Sequence, residues 1–167
     1  MIDLTQPKYR GYNKNVVEFL CESNAIEGVY DEDSLDQALY AWKYLSGEKK
    51  LDYGVLLKTH KVLMLHQKLY PNEKGYFRQI QVYIGGNEAL HFSQIRVALY
   101  GWLKLVNDEL CLRDWQSLHV MYEGIHPFVD GNGRTGRMFM NWQRQRFGLP
   151  ILVIKEVEKQ DYYKWFE

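Results

Sequence analysis

Hydrophobic residues recur at every third or fourth position along most of this chain, which is the period of an amphipathic helix. Between residues 13 and 28 they lie on one helical face, and the run ends at Gly28, a residue typical of helix ends. A second run begins with Ser34 and Gln37 in capping-box spacing and stops at Gly47. The same period continues in three further stretches: 53–69, 93–106 and 113–125. The chain is therefore predicted to be mainly α-helical.

One stretch, residues 71–86, breaks the helical period. It begins and ends with turn residues, and between them Ile80, Val82 and Ile84 alternate with more polar residues, which indicates a strand. A single alternating patch among helices favours a lone hairpin over a packed sheet. Its unpaired edges would invite a partner strand. An irregular ordered loop is equally compatible with the alternation alone.

Length and composition narrow the class of protein. The 167 residues contain no repeat, low-complexity tract or linker-like stretch, so one compact domain is expected. The formal net charge is zero, whereas nucleic-acid-binding proteins usually carry a basic excess. Cys21 and Cys111 are too few for a disulfide framework or a zinc site. This cysteine usage predicts a reducing cytoplasm, and no secretory signal is apparent. The zero net charge predicts no nucleic-acid partner, and the lack of an apolar run long enough for a membrane span predicts no membrane partner.

The most informative stretch is "HPFVDGNGRTGR", residues 126–137. His126 precedes a proline, which disfavours helix at the residue before it, so the preceding helix must end near this histidine. The Gly-Asn-Gly turn at 131–133 lets the backbone approach a ligand closely. A new helix then runs to Gly148. The turn thus lies at a helix N-terminus, where free N–H groups and the helix dipole favour a phosphate.

The charges in this stretch indicate what it binds. Arg134 and Arg137 are neighbours at the start of a helix, where they repel each other and oppose the dipole. A polyphosphate or a protein carboxylate between them would explain the arrangement. Asp130 beside phosphates implies a bridging Mg²⁺, and the pKa of His126 suits a base that accepts a hydroxyl proton. Each residue alone also fits a plain surface or turn position. Together they predict a Mg²⁺-polyphosphate site with a general base, and they leave open which phosphorus is attacked.

The same stretch resembles the signature of the Fic family, His-x-Phe-x-Asp/Glu-Gly-Asn-Gly-Arg-x-x-Arg. Every fixed position matches: His126, Phe128, Asp130, Gly131, Asn132, Gly133, Arg134 and Arg137. The resemblance extends from about residue 50 to the C-terminus, and residues 75–86 resemble the family's β-hairpin flap. It implies a Fic fold, a compact, mainly helical domain with one hairpin over the active site. We therefore divide the domain into an N-terminal helical part, 1–48, and a Fic core, 49–167.

The resemblance also implies a reaction and a set of functional residues. Fic proteins usually transfer AMP from ATP to a Ser, Thr or Tyr hydroxyl of a protein. By this resemblance, His126 is the base, Asp130 is a Mg²⁺ ligand, and Phe128 anchors the loop in the core. The anion hole is formed by Gly131, Asn132 and Gly133. Arg134 and Arg137 bind the outer phosphates. A related branch, the Doc type, transfers the terminal phosphate and usually has a larger residue in place of Gly133. The glycine and Arg137 therefore favour AMP transfer.

The flap is expected to align the target protein. In the family it pairs with the target by strand addition, which places a hydroxyl without demanding one side-chain sequence. The residues that carry this expectation are Tyr76, Phe77, Arg78, Ile80, Val82 and Ile84.

A second short motif, "SNAIEG" at residues 23–28, points to regulation. Glu27 lies in the last turn of its predicted helix, where the dipole disfavours a carboxylate, so a cationic partner is expected, and Arg137 is the natural candidate. A plain surface acid is the alternative. Ser23, Glu27 and Gly28 match the family's inhibitory motif, Ser/Thr-x-x-x-Glu-Gly/Asn, in which the glutamate pairs with the second motif arginine and blocks productive placement of the γ-phosphate. Residues 13–28 would then form an inhibitory helix in an autoinhibited enzyme.

Other readings of the same site stay open. Some relatives with an inhibitory glutamate remove AMP instead, with the glutamate orienting water. A non-catalytic nucleotide-binding module is a further alternative, although it would have no need of His126. Relatives often dimerise, so a homodimer is compatible with the resemblance, and the thirteen tyrosines allow self-modification. The target protein is not identified by the sequence.

Overall fold

The computed structural model describes residues 2–167, apart from the side chains of 111–113, so Cys111 lies outside the described side chains. Seven α-helices make up half of the described residues: α1 (Lys14–Ile26), α2 (Glu32–Ser46), α3 (Tyr53–Leu63), α4 (Ile95–Asn107), α5 (Trp115–Ile125), α6 (Asn132–Arg146) and α7 (Lys159–Tyr163). Short 3-10 helices occupy Pro7–Tyr9, Phe92–Gln94, Glu109–Asp114, Glu156–Glu158 and Lys164–Phe166. No helix between residues 2 and 167 has both the length and the apolar character that crossing a bilayer requires.

The hairpin is present and is shorter than the alternating pattern indicated. Strands β1 (Tyr83–Ile84) and β2 (Asn87–Glu88) pair antiparallel, and the amide of Ala89 extends the pairing by donating to the carbonyl of Val82 at 3.0 Å. The two glycines between the strands have φ of +54° and +88°, as a tight two-residue hairpin turn requires. The prediction of a mainly helical domain with one hairpin is confirmed.

Two details of the helix predictions were wrong. Helix α2 begins before Ser34, because the side chain of Asp31 accepts a hydrogen bond from the Ser34 amide at 2.8 Å and caps the helix in its place. Helix α3 ends at Leu63, short of residue 69. The chain turns back there, and the amide of Gly75 donates to Nδ1 of His60 at 2.9 Å.

Helix α6 forms the centre of the molecule. Its residues are buried over most of its length, with Phe139 packing against Trp102 of α4 and Tyr122 of α5. The same hydrophobic cluster includes Phe19 of α1 and Leu56 of α3, so it joins elements from both sides of residue 48. Because α6 begins with the motif residues, this packing fixes the start of the helix relative to α1, α3 and α5.

Candidate active site

His126 occupies a strained position at the end of α5. It has φ 49° and ψ 63°, and it alone among the described non-glycine residues has a positive φ. Its Nδ1 lies 3.3 Å from the carbonyl of Glu123, which can only accept, so the proton is on Nδ1 and the lone pair on Nε2. Burial lowers the pKa of His126 below its ordinary value. A neutral imidazole with its Nε2 lone pair available is the form that a general base requires.

The loop between α5 and α6, residues 126–131 and called the motif loop below, is held by the side chain of Asn132. Asn132 Oδ1 accepts from the Phe128 amide at 2.8 Å, and Asn132 Nδ2 donates to the Phe128 carbonyl at 2.9 Å. The Asn132 side chain therefore braces the loop, and its contribution to the predicted anion hole is its backbone amide in the first turn of α6. Gly131 is the N-cap with φ 78°, a conformation that suits glycine.

His60 of α3 supports this loop from below. Its Nδ1 accepts from the Gly75 amide, so Nε2 carries the proton and donates to the carbonyl of Asp130 at 2.9 Å. The ring stacks on Phe128 with centroids 3.8 Å apart. Burial lowers the pKa of His60 to about 4, which keeps it neutral. The sequence did not single out His60, because nothing in the helical pattern of α3 marks a contact with a loop seventy positions away.

Asp130 is suited to a metal ion. Its side chain is 57% exposed, with Oδ1 accepting from the Gly131 amide at 2.6 Å and Oδ2 lying 3.5 Å from Arg134 Nη2. Unused lone pairs therefore face solvent at the mouth of the loop. The described residues contain no cluster of three or more metal-binding side chains. A single exposed carboxylate could hold Mg²⁺ only together with substrate phosphates, which is a common arrangement for this ion.

Arg134 is buried and incompletely paired. Its side chain is 3% exposed, and apart from the 3.5 Å contact with Asp130 its Nε and Nη1 atoms have no hydrogen-bond partner among the residues described. Burial lowers the pKa of Arg134, but a guanidinium remains charged at neutral pH. Buried unpaired donors are costly in a folded protein, so an anionic partner that the described residues do not supply would stabilise these atoms.

Arg137 is buried, and each of its three guanidinium nitrogens has a hydrogen-bond partner. Nε donates to Ser23 Oγ at 2.9 Å, Nη2 donates to the Ser23 carbonyl at 2.9 Å and to Glu27 Oε1 at 2.7 Å, and Nη1 donates to Tyr162 Oη at 3.3 Å. Burial alone would lower its pKa, but Tyr162 and Glu27 outweigh that effect and raise it. The structure thus brings Ser23 and Glu27 to Arg137. It also adds Tyr162, which the sequence did not single out because nothing in the pattern near the C-terminus connects that residue with the motif.

Glu27 lies against the motif as well as against Arg137. It is the C-cap of α1, followed by Gly28 with φ +72°. A Cβ atom at Gly133 would overlap Glu27 Oε1, so the glycine is needed for the carboxylate to reach its place. The Glu27 side chain is 36% exposed, and part of it faces the adjoining cavity.

A cavity of about 790 Å³ lies beside these residues, which is the size of a small-molecule site. The Glu123 side chain also faces it, and its Oε1 atom has neither solvent contact nor a partner within the described residues. Burial raises the pKa of Glu123 to about 8. Other residues that line the cavity are Glu27, Tyr83, Ile84, His126, Gly133, Arg137, Tyr162, Tyr163 and Phe166.

The flap residues divide into two groups. Tyr76, Ile80 and Ile84 are exposed, and Val82 is half-buried, so these four can contact a target. Phe77 and Arg78, which were grouped with them, are 7% and 2% exposed and face the core. Phe77 packs on Phe128 with ring centroids 5.7 Å apart. These two residues support the flap from beneath and do not form its outer surface.

Comparisons with known proteins agree with this geometry. A sequence model of the Fic/DOC family matches residues 55–143. A protein named protein adenylyltransferase Fic from Drosophila melanogaster is 32% identical over 136 residues, which cover 76% of this chain and 27% of that protein. The chain thus spans about a quarter of the length of the curated relatives it matches.

Solved structures share the fold. A Fic domain containing signaling protein from Bacteroides thetaiotaomicron superimposes with a TM-score of 0.77 at 18% identity, over 90% of this chain and 70% of that one. BepC from Bartonella tribocorum, described with bound AMPPNP, gives a TM-score of 0.51 at 19% identity, over 74% and 68%. These solved structures confirm the predicted fold. The family model and the identity to the Drosophila protein confirm the family that the motif indicated, and this chain belongs to the Fic/DOC family.

Proposed function

We propose that this chain is an autoinhibited protein adenylyltransferase that moves AMP from ATP to a Ser, Thr or Tyr hydroxyl of a protein. The observation that carries the proposal is the buried Arg134, whose Nε and Nη1 donors have no partner among the described residues and lie at the N-terminal end of α6. Such donors suit the phosphates of a nucleotide. The cavity that adjoins this end of α6 also contains His126, a candidate base.

The names of relatives support ATP as the co-substrate. The Drosophila proteins that match are named protein adenylyltransferases, and BepC is described with AMPPNP, an ATP analogue. Gly133 agrees with AMP transfer by resemblance, since the phosphate-transferring branch usually has a larger residue there. We keep the cytoplasm and a homodimer as predictions, the first from cysteine usage and the second from the resemblance.

The reaction follows from the positions of the side chains. His126 Nε2 accepts the proton of the target hydroxyl while its oxygen attacks the α-phosphorus, and the bond to the bridging oxygen breaks so that pyrophosphate leaves. Arg134 and the first amides of α6 stabilise the charge that develops on the phosphate oxygens. Mg²⁺ held by Asp130 would supply further neutralisation of the phosphates.

Glu27 restrains this reaction. Its carboxylate takes one of the hydrogen bonds of Arg137 at 2.7 Å and lies against Gly133, at the place where an outer phosphate would be gripped. A nucleotide must displace this carboxylate to use Arg137. The restraint is therefore a competition between one protein carboxylate and one phosphate for the same guanidinium.

The exposed flap residues are suited to the target protein. The two short strands leave edges that are free to pair with an extended segment, and Tyr83 and Ile84 lie at the cavity rim. Main-chain pairing would hold the acceptor hydroxyl near His126.

Removal of AMP is a second candidate for the same site. The observation that favours it is that Glu27 and His126 line one cavity and that the Glu27 side chain is partly accessible, so this carboxylate can orient a water molecule. Incubating an AMP-modified protein with wild type and with Glu27→Gly distinguishes the two. Release of AMP by wild type alone would assign removal, and release by neither would exclude it.

The main test is label transfer from ATP carrying a labelled α-phosphate into a cell lysate and into the protein itself. We expect Glu27→Gly to label proteins more strongly than wild type does. We expect Glu27→Gly/His126→Ala to lose at least about 100-fold of this transfer because the base is removed, with ATP affinity nearly unchanged. Undiminished transfer would exclude His126 as the base. Tight ATP binding without any transfer by Glu27→Gly would leave a nucleotide-binding module.

A further inference from the structure

Arg78 lies beneath the flap and connects three separate segments. Its Nε donates to the carbonyl of His126 at 2.7 Å, its Nη1 to the carbonyl of Ile80 at 2.9 Å, and its Nη2 to the carbonyl of Leu90. Ile80 precedes the first strand of the flap and Leu90 follows the second, so one guanidinium holds both ends of the hairpin and the motif histidine. The backbone amide of Arg78 adds a bond to the carbonyl of Pro127 at 2.9 Å.

Burying the Arg78 guanidinium costs free energy, so a role beyond packing is expected for this residue. Arg78 is 2% exposed, and within the described residues it forms no ion pair with a carboxylate. Burying a cation without an acid is unfavourable, and only hydrogen bonds to carbonyls compensate it here. The planar fork of a guanidinium can reach three carbonyls in different directions, which a lysine ammonium on a flexible stem does less well.

The contact with His126 coincides with backbone strain. A non-glycine residue in the left-handed region costs about 1–2 kcal/mol, and such conformations persist only where the surroundings enforce them. Arg78 holds the carbonyls of two consecutive residues, His126 through its side chain and Pro127 through its amide. The direction of the imidazole therefore depends on a residue that also fixes the flap.

We infer that Arg78 is a positioning residue that couples the flap to His126, so that a target segment docked on the flap meets the base at a fixed distance and angle. The inference rests on the proposed AMP transfer. Arg78 contacts neither Arg134 nor Arg137 through any of its hydrogen bonds, so its removal should spare nucleotide binding and affect the use of the protein target.

The test compares Arg78→Ala with Arg78→Lys, each in the Glu27→Gly background. We expect Arg78→Ala to lower kcat by about 10- to 100-fold, as small misplacements of catalytic groups do, and to raise the KM for the protein target with ATP affinity unchanged. Guanidinium ion at low millimolar concentration should restore part of the kcat of Arg78→Ala, whereas methylammonium should not. Arg96→Ala is the matched control, because Arg96 is exposed and its guanidinium lies over the ring of Phe77, 5.5 Å from the ring centroid.

Hydrogen–deuterium exchange gives a readout that does not depend on activity. In Arg78→Lys, amides of residues 79–90 should exchange faster than in the parent, while those of α6 stay unchanged. Unchanged exchange in the flap, or an Arg78→Ala variant with full kcat and unchanged KM for the target, would overturn the inference. So would a loss of transfer accompanied by an equal loss of ATP affinity. Failure of the Glu27→Gly parent itself to transfer AMP would instead count against the proposed function, and the exchange result would still decide the coupling.

Discussion

Arg134 and Arg137 lie three residues apart on one helix, and both are buried, yet their surroundings are opposite. Arg137 donates to Ser23, Glu27 and Tyr162, so both ends of the chain pair with it. Arg134 has a single 3.5 Å contact with Asp130 and two donors without a partner in the described part of the chain. The difference teaches that two nitrogens of Arg134 still lack an anionic partner among the described residues, whereas Arg137 is already held by the protein's own acid.

The contrast also indicates where the proposed restraint by Glu27 would act. A ligand that contacts only Arg134 competes with no carboxylate other than the exposed Asp130. A ligand long enough to reach Arg137 must displace Glu27 from a bond of 2.7 Å. Under the proposed function, the restraint falls on the far end of a polyphosphate, whereas the near end meets no competing carboxylate of the described chain other than Asp130.

Removing Arg134 should have the largest effect on this comparison. In the Glu27→Gly background, we expect Arg134→Ala to reduce kcat/KM for ATP by about 100- to 1,000-fold, because charge stabilisation at the reacting phosphate is lost. Arg146→Ala is the control, since Arg146 is exposed at the other end of α6 and stacks on Trp142. Label transfer measured against ATP concentration gives both constants. A loss no greater than that of the control would show that the unpaired donors of Arg134 do not meet the nucleotide.

Removing only the charge of Glu27 should have a smaller effect of opposite sign. Glu27→Gln keeps the size and an acceptor oxygen, so we expect ATP affinity and transfer to rise by about tenfold, less than in Glu27→Gly. The free energy of unfolding should fall by about 1 kcal/mol, because the buried Arg137 loses its acid while the partly exposed pair is screened by solvent. Calorimetric titration with ATP and denaturant unfolding measure the two quantities.

Glu18→Gln is the matched control for that variant, because Glu18 lies on the same helix and forms no ion pair in the described structure. Equal ATP affinity in wild type, Glu27→Gln and Glu18→Gln would mean that the pair in the structure does not oppose the nucleotide. A rise in affinity without any loss of stability would show that Ser23 and Tyr162 alone satisfy Arg137.

The motif loop and the contacts that support it also differ in how far the sequence predicts them. The motif loop is local, and a glycine turn after a proline and before a helix specifies its shape, so His126, Asp130 and Arg134 could be placed from the sequence. The supporting contacts join residues far apart in the chain, such as His60 with Asp130 and Arg78 with His126. Periodicity marks such residues only as belonging to a helix or strand, because it carries no information on which distant loop they meet.

The family resemblance indicated one contact between distant residues, and it misjudged the exposure of two flap residues. It paired Glu27 with Arg137 across 110 positions, a contact that the structure contains. It did not indicate Tyr162, and it grouped Phe77 and Arg78 with the exposed flap residues although both are buried. The N-cap of α2 at Asp31 was missed for a local reason, since Ser34 and Gln37 also have the spacing of a capping box.

The pH dependence of stability offers a finer measure of the surroundings of Arg137. Glu123 faces the same cavity, and its pKa is raised from 4.5 to about 8 mainly by burial; Arg137 lowers it and Glu27 raises it further. Between these values the unfolded chain has lost the proton that the folded chain keeps, so stability is fully present below about pH 4.5 and is lost as pH rises through about 8. We expect the free energy of unfolding of wild type to fall by up to about 1 kcal/mol per pH unit more steeply than that of Glu123→Gln.

Denaturant unfolding at several pH values between 5 and 8 would measure this slope. In Glu27→Gly the slope should shrink, because the acid that raises the pKa of Glu123 is gone while Arg137, freed from its partner, favours the ionised form more strongly. Identical slopes in wild type and Glu123→Gln would show that Glu123 is ionised in the folded state, with Arg137 as the cation that lowers its pKa. In that case the guanidinium would be shared between two carboxylates, and removing Glu27 alone would not free it for a phosphate.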